Sequence, residues 1–238
     1  MKKNLRYKPL YKKFVQLRQN VQNRKKIYNF KKQKWQKLLK YLLKLNKSKR
    51  KIRMYDHSIY YKPKFTFYLN NKFRFNLQTK KRFNIFYGNF TERYLKNNVE
   101  KVLKTKKSFN YFSNINSCFI EIFESRIDTI LYRAHFALSI RNARQFISHG
   151  QVSINHKKIK NSSHTVNKGD FININFKSHN LISRYLSNSK CWPIPPKYLL
   201  INYKTYQIIL LSDINYTNII FHFPFWLNIN SLIKYYNR

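Results

Sequence analysis

The chain has 238 residues, 49 Lys and Arg against 8 Asp and Glu, and a formal charge of +41. That length holds one or two domains, and that charge opposes compaction unless a polyanion neutralises it; with no lipidation signal, nucleic acid is a better partner than a membrane surface. Two distant cysteines, Cys118 and Cys191, make neither a disulfide framework nor a zinc site, and the longest apolar run, residues 219–227, is broken by His222 and Pro224, short of a membrane span.

Residues 1–55 form a basic arm. No acid precedes Asp56, and 21 Lys and Arg do, so about half of the net charge lies here. Residues 1–30 combine many cations with few clustered apolar side chains. They are expected to be disordered in free protein and to order along a polyanion. No secretory signal is present. A basic, acid-free start fits an organellar transit peptide, although it is rich in Lys rather than Arg and Ser. The dominant residue types have A/T-rich codons, which points to an organelle-encoded protein that needs no import. Residues 33–45, QKWQKLLKYLLKL, place Trp35, Leu38, Leu39, Leu42, Leu43 and Leu45 at helical spacing. A helix packed on a neighbour and a cationic helix on phosphates both fit.

Residues 56–118 read as an aromatic and helical subdomain with a linker. Phe65, Phe67 and Leu69 alternate with Thr66 and Tyr68, which suggests a short strand. Residues 78–107 read as helical around Gly88, with Thr91 as N-cap and Tyr94, Leu95, Val99, Val102 and Leu103 on one face. The Ser/Asn-rich residues 108–118 read as the linker.

Residues 119–176 read as a compact domain. Two of the three Gly, Gly150 and Gly169, and all three Ala, Ala134, Ala137 and Ala143, fall within it. A helix over 126–135 is expected, with Ser125 and Asp128 as a capping box and Ile127, Ile130, Leu131 and Ala134 as its inner stripe. A second helix over 140–149 follows, capped by Ser139, with Ala143, Phe146 and Ile147 inward and Gly150 at its left-handed end. Val152 and Ile154, then Ile159, give a hairpin. Lys168-Gly169-Asp170 is a turn before a final strand at Phe171, Ile172 and Ile174. Residues 177–238 form an extension: a polar linker, extended segments at 198–211 and 219–227, and a short terminal helix. The fold class is α+β: a helical basic subdomain, a small two-helix and sheet domain, and a tail returning to the helical part.

The second helix carries the chemistry. Arg141, Arg144, Gln145, Ser148 and His149 recur at i, i+3, i+4, i+7 and i+8, away from its apolar face. Guanidinium forks and hydrogen-bonding side chains suit phosphate oxygens and exposed base edges. Lys157, Lys158 and Lys160 on the hairpin extend the basic surface. A solvated helix face is the simpler alternative for an isolated Arg pair, but a basic hairpin beside it in so cationic a chain favours RNA.

Arg126-Ile127-Asp128, Tyr132-Arg133, Ala143-Arg144-Gln145, Ser148-His149-Gly150, Val152, Asn155 and Lys168-Gly169-Asp170 together resemble the S-four RNA-binding domain. Residues 78–95, the lead-in Phe123-Glu124-Ser125-Arg126, and the endings 196–199 and 231–238 resemble the flanks of the ribosomal small-subunit protein S-four family. The resemblance covers about half of the chain. It implies an RNA-contacting set of Arg126, Arg133, Arg141, Arg144, Gln145, Ser148, His149, Asn155, Lys157, Lys158 and Lys160. It also implies binding to the 5′ domain of small-subunit ribosomal RNA at a helix junction, early in assembly. Neighbours would be ribosomal proteins S-five and S-three, with messenger RNA entering nearby. The setting would be a mitochondrial ribosome, with a plastid as the alternative. Two departures stand out. The family hairpin usually has Asn-Gly where this chain has Asn155-His156, and the zinc-binding cysteines of some bacterial members are missing, so no metal or cofactor is implied.

The dispersed acids offer no acid/base pair, and the histidines at 135, 149, 156 and 164 have no Cys or Glu at ligand spacing. Aromatic residues make up 18% of the chain; nucleotide bias and core filling explain them more simply than base stacking. The enzymatic alternative is a pseudouridine synthase that uses the same domain as a reader. It needs a catalytic domain with an essential Asp beside this one.

Overall fold

The structure, a computed structural model, describes residues 12–22, 25–47, 69–108, 115–187, 195–212, 214, 223, 225 and 227–236. Its internal contacts divide the chain into two compact units, Met1–Phe86 with Phe221–Tyr235, and Tyr87–Ile220 with Tyr236–Arg238. The mixed helical and antiparallel architecture is α+β, as expected. No helix among the described residues is long and apolar enough to cross a membrane.

The first unit is helical in its described residues: α1 (Lys12–Leu17), a 3-10 turn (Lys25–Asn29), α2 (Gln33–Lys47), α3 (Leu69–Phe86) and a C-terminal helix (Ile229–Tyr236). Phe14, Leu17, Val21 and Ile27 are buried, and Gln22 Nε2 donates to the Ile85 carbonyl at 3.0 Å. From their sequence, residues 1–30 are expected to be disordered in free protein; among the described residues, these four side chains lie in the unit's interior. Burial of these side chains against the rest of the unit offsets part of their ordering entropy. Residues 1–11, 23 and 24 lie outside the described residues.

On α2, Trp35 and Leu38 are buried while Leu43 faces out, so the apolar stripe is narrower than the sequence suggests. Leu69 opens α3 instead of ending a strand; Phe65 and Phe67 lie outside the described residues. The tail returns to this unit through Phe223 and Phe225, whose rings lie 5.1 and 5.8 Å from that of Phe86.

The second unit begins with α4 (Glu92–Ser108), where Thr91 Oγ1 accepts the Tyr94 amide. Next come α5 (Ile115–Glu124), α6 (Ile127–Arg133) and α7 (Ile140–Ser148). α5 replaces part of the expected linker. Its Ser and Asn occupy the first turn, and the apolar Phe119, Ile120 and Phe123 behind them are buried.

The capping box at α6 does not form. Arg126 is the N-cap and makes no side-chain cap bond. The Asp128 carboxylate is taken instead by two guanidiniums, a stronger use than one amide. The inner stripe Ile127, Ile130, Leu131 and Ala134 is buried as expected. At α7, Ser139 accepts the Asn142 amide, and Gly150 closes the helix at φ +66°.

The sheet has five antiparallel strands in the order β2-β1-β3-β5-β4: β1 (Val152–Ile154), β2 (Lys157–Lys158), β3 (Phe171–Ile174), β4 (Leu199–Asn202) and β5 (Gln207–Leu210). It does not stop at Phe176, because β5 pairs with β3 through Ile172 and Ile208. Between them, α8 (His179–Ser187) fills what reads as polar linker and is held by the buried Ile182.

Asn155 and His156, between β1 and β2, both have left-handed φ, +47° and +66°. Two-residue hairpins need this backbone, and Asn tolerates it better than His. His156→Gly is therefore expected to stabilise the unit by up to about 1 kcal/mol, offset in part by the added freedom of Gly when unfolded. A thermal melt checks this, and a lower melting temperature would mean that the imidazole contributes more than the strain costs.

Candidate nucleic-acid interface

Eleven side chains were expected to meet RNA, and the structure divides them. Arg126 is 3% exposed and Arg133 is 5% exposed. Arg126 forms a fork on Asp128, with Nε to Oδ1 at 3.0 Å and Nη2 to Oδ2 at 2.9 Å. Its remaining donors reach the Tyr94 hydroxyl at 3.0 Å and the Ser162 carbonyl at 3.2 Å. Arg133 forms a second fork, on Glu124, at 2.9 and 2.6 Å.

Neither guanidinium faces solvent, so both are corrected from RNA contacts to interior ion pairs. The reason is electrostatic. Glu124 and Asp128 are fully buried, and a buried carboxylate needs a partner. Burial by itself would lower the pKa of each arginine, but the carboxylate's charge and hydrogen bonds outweigh it and hold both above the usual value.

Arg144 sits between the two roles. Its side chain is 24% exposed, and Nε donates to Asp128 Oδ2 at 2.7 Å. Nη2 donates to the Tyr87 carbonyl at 2.7 Å and Nη1 to that of Gly88 at 3.4 Å. Gly88 suits this loop: its φ is +82°, and a Cβ would stand 2.9 Å from Arg144 Nη1 and displace the guanidinium. The guanidinium carbons of Arg126 and Arg144 each lie 4.9 Å from the centroid of Phe90, close enough for cation–π attraction. Arg144 therefore ties α7 to Asp128 of α6 and to the loop before α4.

Glu124 also accepts the Tyr87 hydroxyl at 2.5 Å and the Tyr198 hydroxyl at 3.2 Å. Burial first, and then the Glu124 charge, push both phenols well above their ordinary pKa. They stay protonated donors.

Asn155 is exposed, but its amide is engaged. Nδ2 donates to Asp170 Oδ1 at 2.9 Å, and Oδ1 accepts the Phe171 amide at 3.0 Å. It closes the hairpin onto β3. Arg141 is half-buried on α7, while Gln145, Ser148 and His149 are exposed there; Lys157, Lys158 and Lys160 are exposed on the hairpin. The Gln151 amide bonds the Phe146 carbonyl at 3.1 Å, which carries the chain from α7 straight into β1. Within residues 145–160, α7 and the hairpin after it therefore expose three ammonium groups, an imidazole, an amide and a hydroxyl.

Sequence reasoning missed Glu124, Asp128, Tyr87, Tyr198 and Phe90 as the frame behind this edge. One signal was available. Acids are scarce in this chain, and Glu124 stands in an apolar helical run, Cys118-Phe119-Ile120-Glu121-Ile122-Phe123-Glu124, where an interior role is economical.

Arg144 and Arg141 should separate experimentally. Arg144→Ala removes one of two cations from a buried carboxylate and a 2.7 Å hydrogen bond to the Tyr87 carbonyl, at an expected cost of about 2 kcal/mol. Arg141→Ala should leave the melt nearly unchanged. Equal melts for the two variants would contradict the tie through Asp128.

The S4 domain family matches residues 125–172, a span that contains α6, α7 and β1 to β3 up to Ile172. The chain is 36% identical over 161 residues to "Small ribosomal subunit protein uS4m" of Reclinomonas americana, covering 63% of this chain and 60% of that protein. It is 30% identical over 158 residues to "Small ribosomal subunit protein uS4" of Granulibacter bethesdensis, covering 64% of this chain and 71% of the relative. The protein of the same name from Pelagibacter ubique is 28% identical over 153 residues, with 64% and 71% covered.

Proposed function

Because this chain belongs to the small ribosomal subunit protein uS4 family, we propose that it is a structural constituent of the small ribosomal subunit. It binds the 5′ domain of small-subunit ribosomal RNA at a helix junction, supports assembly, and carries no catalytic activity of its own. The observation that carries this reading is the coincidence of the S4 domain match with the basic edge of α7 and the β1–β2 hairpin. In this reading Arg141, Gln145, Ser148, His149, Lys157, Lys158 and Lys160 face the RNA. Arg144 and Asn155 act behind them by holding α7 and the hairpin in place. The buried ion pairs set the geometry of the edge, and the lysines supply charge that costs nothing to desolvate until phosphate arrives.

Proteins S-five and S-three as neighbours, and messenger RNA entering close by, rest on the resemblance of the flanking segments. A mitochondrial ribosome is supported by the 36% identity to the Reclinomonas protein named uS4m and by the A/T-rich codon bias of the composition. A plastid ribosome is the other organellar setting.

The test is a titration of the full chain against a transcript of the rRNA 5′ domain at several salt concentrations. If about 8 phosphates are neutralised, the slope of log K against log salt is of order −6 to −7. Replacing Lys157, Lys158 and Lys160 with Ala is expected to flatten it by ~2 to 3. A wild-type slope near zero would remove the electrostatic basis of the proposal.

A further inference from the structure

The outward face of the sheet is a second surface, joined to the basic hairpin through Lys158. The register sets Ser153 opposite Lys158 on one side and opposite Asn173 on the other, and Asn173 opposite Gln207. Lys158, Ser153, Asn173 and Gln207 therefore form one row across four strands, about 14 Å long at the usual strand spacing. The alternate residues Val152, Ile154, Ile172, Ile174 and Ile208 are buried on the opposite side.

An antiparallel sheet commonly shows water a polar face, and the row alone would need no more than that. Its end is different. Phe176, two residues after β3, is 80% exposed and meets the His179 ring edge-on at 5.2 Å. That imidazole is anchored: its Nε2 is 3.0 Å from the Ile174 carbonyl oxygen, and its ring lies 4.4 Å from that of Tyr206. Thr205 Oγ1 donates to Gln207 Oε1 at 2.8 Å, which leaves Nε2 as the donor end of that amide. None of the residues lining this shallow groove is acidic.

We propose that this face holds an unpaired run of RNA. A base stacks on Phe176 beside the anchored His179, Asn173 and Gln207 meet base edges, and Lys158 meets phosphate. The chemistry selects single strands. Every base has a π-face that an exposed ring can cover, but in a duplex that face is already stacked and the edges are already paired. An amide row beside a ring therefore does little for a helix, whereas the lysines of the hairpin serve either form. This inference deepens the rRNA-binding role and rests on it for the class of partner.

The experiment compares the full chain with Phe176→Ala and with Asn173→Ala. Each is titrated by fluorescence anisotropy against a short unstructured oligouridylate and against a blunt RNA duplex. Thermal melts alongside establish that both variants are folded. Phe176→Ala is expected to weaken the single strand by about tenfold, Asn173→Ala by less, and neither to change the duplex affinity. Unchanged single-strand binding in Phe176→Ala, as when the face holds a protein, overturns this inference alone, and so does an equal loss with both RNAs. If the unaltered chain binds neither RNA, the proposed function falls with it.

Discussion

Replacing Arg133 with Ala is expected to destabilise the second unit by roughly 3–5 kcal/mol, because it strands a charge that water cannot reach. Glu124 is fully buried, and Arg133 supplies both arms of its fork, at 2.9 and 2.6 Å. The two tyrosine hydroxyls that remain, Tyr87 and Tyr198, are neutral donors and cannot replace a cation. In a unit of this size the loss corresponds to a fall of roughly 10–17 °C in melting temperature. Replacing both charges, Glu124→Leu with Arg133→Met, should recover part of it. Removing the pair together avoids the orphaned charge, but the two phenols then lose their acceptor. If Arg133→Ala melts like the unaltered chain, Glu124 is not held as described.

Phe146→Ala is expected to cost about 3–5 kcal/mol as well, by a different route. Phe146 is buried on the inner face of α7 with Ala143 and Ile147, and α7 packs on the apolar stripe of α6. Its backbone cannot easily move to close a cavity. Ser139 caps one end of the helix, Arg144 ties the middle to Asp128, and the Phe146 carbonyl accepts the Gln151 amide as the chain enters β1. Denaturant unfolding of the full chain measures the loss. A change below about 1 kcal/mol would mean that α7 presents another face to α6.

The elements that could be read from sequence are those whose causes are local. Ser139 before an apolar-periodic run, Gly150 after it, and Lys168-Gly169-Asp170 before Phe171 gave α7 and two turns nearly to the residue, because caps and left-handed φ depend on neighbours. The exposed Gln145, Ser148 and His149 followed from the same helical period. Arg126, Arg133 and Arg144 did not. Their carboxylates are near in sequence, but whether those carboxylates are buried depends on distant packing partners such as Tyr87 and Tyr198, which bond Glu124 from 37 and 74 residues away. β4 and β5 were readable as extended, but their place beside β3 is a long-range pairing that no local pattern specifies. The apolar residues of the N-terminal arm show the same dependence on distant partners. Phe14, Val21 and Ile27 are too few for a core of their own, yet they are buried through the rest of their unit.

The central claim is that a buried ion-pair frame presents a basic edge to small-subunit ribosomal RNA. Sedimentation of organellar extract through a sucrose gradient at high magnesium, with the protein followed by mass spectrometry, tests it most directly. The account predicts that the chain travels with the small subunit and leaves it as salt is raised. Recovery at the top of the gradient, or with the large subunit alone, would contradict it.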